Sequence, residues 1–523
     1  MEGLEIALVL GLAVLGGGLA KRWLRVPAPW AWTAIGIGLS FLPGLHDVVL
    51  PPDVVLYLFL PALLYWESLA ISWQRFRYDL RVILLLSVGL VFATAAAVAG
   101  IGGLFGLALP VALVLGAVLS PTDATAVSAM APPLPRRFDT MLKGESLVND
   151  GSALALYSVA VAAVVASRDV DLGEISWRFV LAVLVGVVAG LVVGYLLYLL
   201  RRISRQPMLA GTISVLSPFA LYLPAETFHG SGVVAVVTGG LLLGRLMPRV
   251  VSAQARTLGF DFWRVATYVI NGALFVLIGL QARSVIEAFA GDGWPQVVGL
   301  TLAVTAAIFL VRFLWILVMA PLIRLLDRRP SQRGRRAPFR VRAVLVWGGF
   351  RGAVSLAAAL SVPVLIASGG DFPQRELIIA VTFGVIVLLL VVQGATMPLV
   401  VRAARLSGDE RERDEHRLAL ETAVESALEH LEADASDAHV SDDDREEVRD
   451  RLTRALDDVR RDDGRHEGRS DDGVRRLLLR AVQRKRDAIE TLRQQKRIDD
   501  VVFLDVQREL DHEELRLHDD LEA

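Results

Sequence analysis

Two short polar runs, Ser120-Pro121-Thr122-Asp123 and Glu145-Ser146-Leu147-Val148-Asn149-Asp150, interrupt long apolar stretches of this chain. Their carboxylates, hydroxyls, amide and backbone carbonyls are hard oxygen ligands of the kind that suits small cations. Pro121 has no amide hydrogen to donate and disfavours helical geometry at Ser120, so carbonyls are freed beside Thr122 and Asp123. Ser146, Asn149 and Asp150 are spaced i, i+3 and i+4 and share one helix face. Burial favours a neutral carboxyl, whereas a nearby cation favours the carboxylate. Asp150 can therefore hold a proton or a metal cation, and the two compete. The plainer alternatives are a proline kink capped by Asp123 and a polar helix start at Glu145 and Ser146. The long apolar run after Asp150 argues against the second for that residue.

Other ionisable groups lie inside apolar sequence, where they are costly and face protein or water rather than lipid. Arg312 sits mid-stretch between Ala307 and Trp315 and needs a partner. Glu145 is the expected one, in a buried structural ion pair. Arg351, between Gly349 and Gly352, either binds carbonyls at a helix break or snorkels to the surface. Glu67 is either an outer contributor to the cation site or an interfacial carboxylate.

These residues need elements that cross a bilayer. A spanning helix takes about 20 apolar residues. Thirteen stretches qualify, near 3–20, 28–45, 50–72, 82–106, 108–131, 143–167, 177–200, 208–226, 230–247, 265–283, 294–323, 343–368 and 376–401. Alternating the loops puts 24 Lys and Arg on one side and four (Arg168, Arg178, Arg283 and Arg375) on the other. By the positive-inside rule the basic loops and the C-terminal tail are cytoplasmic and the N-terminus is outside. The acidic start, Met1-Glu2-Gly3-Leu4-Glu5, is unlike a secretion signal. Spans 5 and 12 are counterparts in an inverted repeat of six spans, a connector and six spans, and both are interrupted. Paired broken helices point to a transporter site near the bilayer midplane.

Three motifs carry a resemblance. Ser-Pro-Thr-Asp-Ala-Thr-Ala-Val-Ser (120–128), Gly-Glu-Ser-Leu-Val-Asn-Asp-Gly (144–151) and Trp-Gly-Gly-Phe-Arg-Gly-Ala-Val-Ser (347–355) resemble signatures of the monovalent cation/proton antiporters, specifically the bacterial sodium/proton exchangers. The resemblance implies an all-α membrane protein of about 13 transmembrane helices, built as two inverted six-helix repeats with crossed discontinuous helices. It implies a homodimer, with spans 1–3 and 7–10 as interface and spans 4–6 and 11–13 as a moving core, working by an elevator-like cycle. By motif position Asp150 is the ion- and proton-binding carboxylate, with Asp123, the Thr122 carbonyl and Ser146 as further ligands of transported Na⁺ or Li⁺. Asn149 stands where electrogenic relatives carry a second aspartate, which implies electroneutral one-for-one exchange. The pattern also supports the Glu145–Arg312 pair. It departs at Glu67, where this chain reads Leu-Leu-Tyr-Trp-Glu and the family's acidic residue stands closer to the leucines.

The remaining chain, 406–523, is a polar helical tail after the membrane region 1–405. From position 401 onward the net charge is −12, against +10 before it. Apolar residues at helical spacing from Val474 to Ile489 predict amphipathic helices in a small bundle. The ending 498–514 resembles the tails of the same exchangers, with a regulatory or dimer-supporting role. Acidity disfavours nucleic acid as a partner. Cysteine is absent, which removes thiolate chemistry. No zinc-protease, nucleophile-elbow or phosphate-loop motif is present, so neither an enzyme nor a cofactor is expected. A cation channel lacks its repeated filter. A potassium/proton exchanger is the main rival, because the same oxygens serve either ion. The expected setting is the cell membrane, with lipid around the spans.

Overall fold

The computed structural model describes residues 2–24, 26–42, 54–132, 134–166, 172–204, 206–247, 250–290, 293–326, 339–405, 410–438, 441–461 and 472–519. Among these the regular structure is helical apart from one isolated bridge, Leu365 to Asp371. Among the described residues eight helices are long and apolar enough to cross a membrane, including Trp73–Leu104, Phe138–Val165, Ala253–Ala288 and Arg375–Ala404. Val55–Ala70, Leu109–Val118 and Gly232–Leu246 are shorter apolar helices. Helices are the expected solution in hydrocarbon, because each satisfies its own backbone hydrogen bonds. Leu184, Val188, Leu191 and Tyr195 lie exposed along one helix, Leu172–Ile203. Such a stripe is a liability in water and an ordinary lipid-facing surface in a bilayer. The chain is a multi-pass membrane protein.

Helix Trp73–Leu104 packs chiefly on Leu109–Val118, Arg136–Val165 and Trp294–Leu326. Helix Ala253–Ala288 packs chiefly on Glu2–Leu24, Ala28–Ser40 and Pro207–Thr227. The backbones of Ala28–Ser40 and Ala253–Ala288 touch through Gly36 and Gly279, where a side chain would strike the facing carbonyls. Small residues serve close helix approach in membranes in this way.

Two apolar segments are broken in mid-course. Leu109–Val118 stops before Pro121 and helix resumes as Ala124–Met130, with Asp123 as N-cap. Phe339–Trp347 stops at Gly348 and helix resumes as Ala353–Leu360. The stretch near 343–368 is therefore less helical than its hydropathy predicts. Helix ends at Leu360, and Arg375 donates to the end carbonyls, from Nη2 to Leu360 at 3.1 Å and from Nε to Val362 at 2.8 Å. Pro363 and the Gly369-Gly370 pair explain why the helix does not continue.

Arg75, Arg77 and Arg81 fall on the first turns of Trp73–Leu104 rather than in a loop. Ser72 starts that helix by accepting from the Arg75 amide at 3.3 Å, so polar sequence is recruited into helix ahead of the apolar run. Of the arginines used for orientation, Arg25, Arg168, Arg205, Arg249, Arg328, Arg329, Arg333, Arg335 and Arg336 lie outside the described residues.

The tail holds helices Glu410–Ala438, Asp442–Arg461, Asp472–Gln494 and Asp500–Asp519. One apolar seam gathers Leu431, Val448, Leu452 and Leu477; a second gathers Ala419, Ile489, Val502 and Phe503. The acidic run from Asp442 is a helix start, where three aspartates in the first turn suit the helix dipole.

Candidate functional site

The two breaks meet. The Asp123 amide donates to the Phe350 carbonyl at 2.9 Å, joining the extended residue of one break to the other. Every broken helix frees carbonyls that must find donors at this depth. Here buried side chains supply them. Arg351 donates from Nε to the Leu119 carbonyl at 2.8 Å and from Nη1 to the Gly349 carbonyl at 2.6 Å. It thus binds carbonyls of both breaks and does not snorkel, since it is almost fully buried. Arg312 Nε donates to the Leu345 carbonyl at 2.9 Å.

Helix Arg136–Val165 lies alongside and presents the second polar run. Ser146 Oγ donates to the Thr122 carbonyl at 2.7 Å, and Asn149 Nδ2 donates to the Thr122 hydroxyl at 2.6 Å. A carbonyl has two lone pairs, so Thr122 keeps one for a ligand. Asp123 Oδ1 accepts from the Thr125 hydroxyl at 2.5 Å and from the Ala126 amide at 3.0 Å. That oxygen is committed to capping. The Asp123 Oδ2 side presses on Gly352, where any added Cβ would collide with the carboxylate.

Asp150 is buried, and its Oδ1 has no hydrogen-bond partner in the protein, as is also true of the neutral Asn149 Oδ1 beside it. A buried carboxylate without a donor is expensive unless a proton or a cation neutralises it. It borders a cavity of about 30 Å³ shared with Glu67, Thr122, Asp123, Ser146 and Asn271. That is the room of one water-sized particle or a small ion. The cavity brings together Thr122, Asp123, Ser146, Asp150 and Glu67; Asn149 reaches it only through Thr122. Glu67 stands on the wall formed by helix Leu60–Ala70.

Glu145 and Arg312 are set apart from the cavity. Arg312 Nη1 and Nη2 engage both Glu145 oxygens, the second at 3.1 Å, and both side chains are at most 2% exposed. The fork-to-fork geometry is the strong form of this pair. It fastens helix Arg136–Val165 to Trp294–Leu326, while Arg312 Nε holds the end of Phe339–Trp347.

Two lining residues escape the sequence argument. Asn271 lies mid-helix in an apolar segment, and Ser355 follows the second break with its hydroxyl buried and unpartnered. A lone polar residue in a span is the signal that marks Asn271, but periodicity does not say which face it occupies. At Gly352 we predict that Gly352→Ala displaces one break against the other. It should cost about 1–3 kcal/mol of stability, as overpacking does, read as a lower melting temperature.

A multi-pass membrane protein with two broken helices that meet beside buried carboxylates has the architecture of a secondary transporter. The chain belongs to the sodium/hydrogen exchanger family: the family described as "Sodium/hydrogen exchanger, transmembrane" matches residues 9–403. A protein of Mycobacterium tuberculosis named as a Na(+)/H(+) exchanger is 41% identical over 535 residues, covering 100% of this chain and 97% of its own. The Na(+)/H(+) antiporter ApNhaP of Aphanothece halophytica is 31% identical, over 82% of this chain and 79% of its own. A Bacillus subtilis protein named "Sodium, potassium, lithium and rubidium/H(+) antiporter" is 31% identical, over 76% and 62%. Among solved structures, the sodium proton antiporter MjNhaP1 from Methanocaldococcus jannaschii shares the fold with a TM-score of 0.59. It is 19% identical, and the match covers 78% of this chain and 99% of that one.

Proposed function

We propose that this protein exchanges Na⁺ or Li⁺ for H⁺ across the cell membrane, one for one, with cation and proton competing for Asp150. The observation that carries this reading is the buried, donor-free Asp150 oxygen beside the oxygens of Thr122, Asp123 and Ser146. Cation binding there expels the proton, and proton binding expels the cation. Asn149 is neutral and tied to Thr122, which leaves Asp150 as the titrating group of its helix face. One charge in for one charge out makes the exchange electroneutral.

The cycle we propose is elevator-like, with two inverted six-span repeats and a core of spans 4–6 and 11–13 sliding against the rest. The contact between the two breaks and the two packing groups around Trp73–Leu104 and Ala253–Ala288 support it. The working unit is a homodimer with its N-terminus outside and its tail in the cytoplasm, an orientation supported by the uneven share of Lys and Arg between alternate span ends in the sequence. A second reading, in which K⁺ is also carried, is favoured by the printed name of the Bacillus subtilis relative.

Proteoliposomes with an internal pH probe test both. Na⁺ and Li⁺ gradients should each drive proton movement, at rates unchanged by a clamped membrane voltage. A K⁺ response equal to the Na⁺ response would decide for the second reading. A voltage-dependent rate would refute electroneutrality. Competition for one site further requires the apparent KM for Na⁺ to rise about tenfold per unit fall in pH where the proton occupies the site. A KM independent of pH throughout would refute competition.

A further inference from the structure

The tail holds the membrane body at two places, chiefly through helix Asp500–Asp519; at the first, Arg75 Nη2 also lies 3.9 Å from Glu415 of helix Glu410–Ala438. At one, Asp499 and Asp500 open helix Asp500–Asp519 against the start of Trp73–Leu104. The Gln74 amide donates to Asp500 Oδ2 at 2.8 Å, the Ser72 hydroxyl donates to Asp499 Oδ1, and Arg75 Nε pairs with Asp499 Oδ2 at 2.9 Å. Gln74 Nε2 also donates to the Arg493 carbonyl at 2.9 Å. At the other, Arg256 near the start of Ala253–Ala288 donates from Nε to Asp511 Oδ2 at 3.0 Å and from Nη2 to Oδ1 at 2.5 Å. Arg486 shares Asp511 from the tail side, and Arg508 lies over the Phe260 ring at 4.9 Å.

These anchors sit on helices that belong to different packing groups, one running into the broken-helix core and the other into the flanking helices. The contact is polar rather than a sealed apolar seam. Beside Arg256 a cavity of about 400 Å³ separates tail from membrane body, bordered by Arg202, Arg486, Asp487 and Glu490. Polar contacts of this kind release and re-form more readily than apolar ones.

We infer that the tail is a clamp on the transport cycle: helix Asp500–Asp519 ties the start of Trp73–Leu104 to the start of Ala253–Ala288, and the core moves only when one anchor lets go. This rests on the exchange reading above and on a core that shifts against its flanks. Releasing either anchor suffices, so the two act in series on one restraint.

Full-length protein in proteoliposomes tests the clamp, using residues remote from the cation site. Asp499→Asn/Asp500→Asn and, separately, Asp511→Asn should each raise turnover roughly fivefold with the Na⁺ KM unchanged, the scale of an ordinary coupling between sites. All three substitutions together should run no faster than the faster of the two. Turnover unchanged or lowered in either variant overturns the clamp. Because the chain has no cysteine, a lock can be built. With Gln74→Cys/Asp500→Cys and Arg256→Cys/Asp511→Cys in one chain, a short reducible cross-linker on both pairs should stop exchange, and thiol should restore it. Exchange persisting in the cross-linked protein overturns the clamp. Absence of exchange in the unaltered chain would strike the transport reading instead. Deuterium uptake at residues 72–76 still judges the anchor, which is refuted if Asp499→Asn/Asp500→Asn leaves that uptake unchanged.

Discussion

Replacing Asp150 with asparagine should reduce Na⁺-driven proton movement to the level of protein-free liposomes while leaving the protein folded. The substitution keeps the shape of the side chain and removes its charge and its proton. In the structure the residue is buried, and its Oδ1 takes no hydrogen bond from the protein. Removing a charge from such a place relieves desolvation, so the melting temperature should hold or rise. That separates loss of function from loss of fold. Calorimetry gives the second half of the test. The unaltered protein should release one proton for each Na⁺ bound, measured as an enthalpy that scales with the ionisation heat of the buffer. Asp150→Asn should show neither the heat nor the proton. Retained exchange would remove Asp150 from its assigned place, and Asp123 would be the next carboxylate to test. Asp123→Asn is the weaker probe, because one Asp123 oxygen already caps Ala124–Met130 and its loss would also loosen that helix.

The residues around the cavity were visible in the sequence to the extent that polarity in a membrane span is expensive. Asp123, Asp150, Glu145 and Arg312 each violate the apolar pattern, and a violation that costs several kcal/mol marks itself. The i, i+3, i+4 spacing places Ser146, Asn149 and Asp150 on one face of a helix. What did not follow was the use made of each oxygen. Thr122 and Asp123 spend part of their capacity on Ser146, Thr125 and Ala126, local partners that spacing does not reveal. Asn271 and Ser355 reach the cavity from distant segments, and single polar residues carry no periodicity. The helix start at Trp73 was hidden because its arginines read as a loop. They are helical because Ser72 caps them, and Asp500 of the tail, over four hundred residues away, binds the same turn. Such long-range contacts leave no mark in local pattern.

Breaking the Glu145–Arg312 pair should damage the fold rather than ion selection. Either Arg312→Ala or Glu145→Ala strands a full charge in a place at most 2% exposed. Losing one partner of a buried pair costs about 3–5 kcal/mol, most of it the uncompensated charge. Arg312→Ala should be the worse of the two, because it also takes the donor from the Leu345 carbonyl at the end of Phe339–Trp347. Lower yield and a lower melting temperature are the expected readings. The double variant Glu145→Gln/Arg312→Met strands no charge and should recover most of the stability, since an apolar or neutral replacement of a whole buried pair is often nearly neutral. Its exchange rate then tells the roles apart. A stable double variant that exchanges Na⁺ for H⁺ with an unchanged KM makes the pair a fastener of helices Arg136–Val165 and Trp294–Leu326. A stable double variant with no exchange would give the two charges a direct part in moving the ion, and the fastening role would fall.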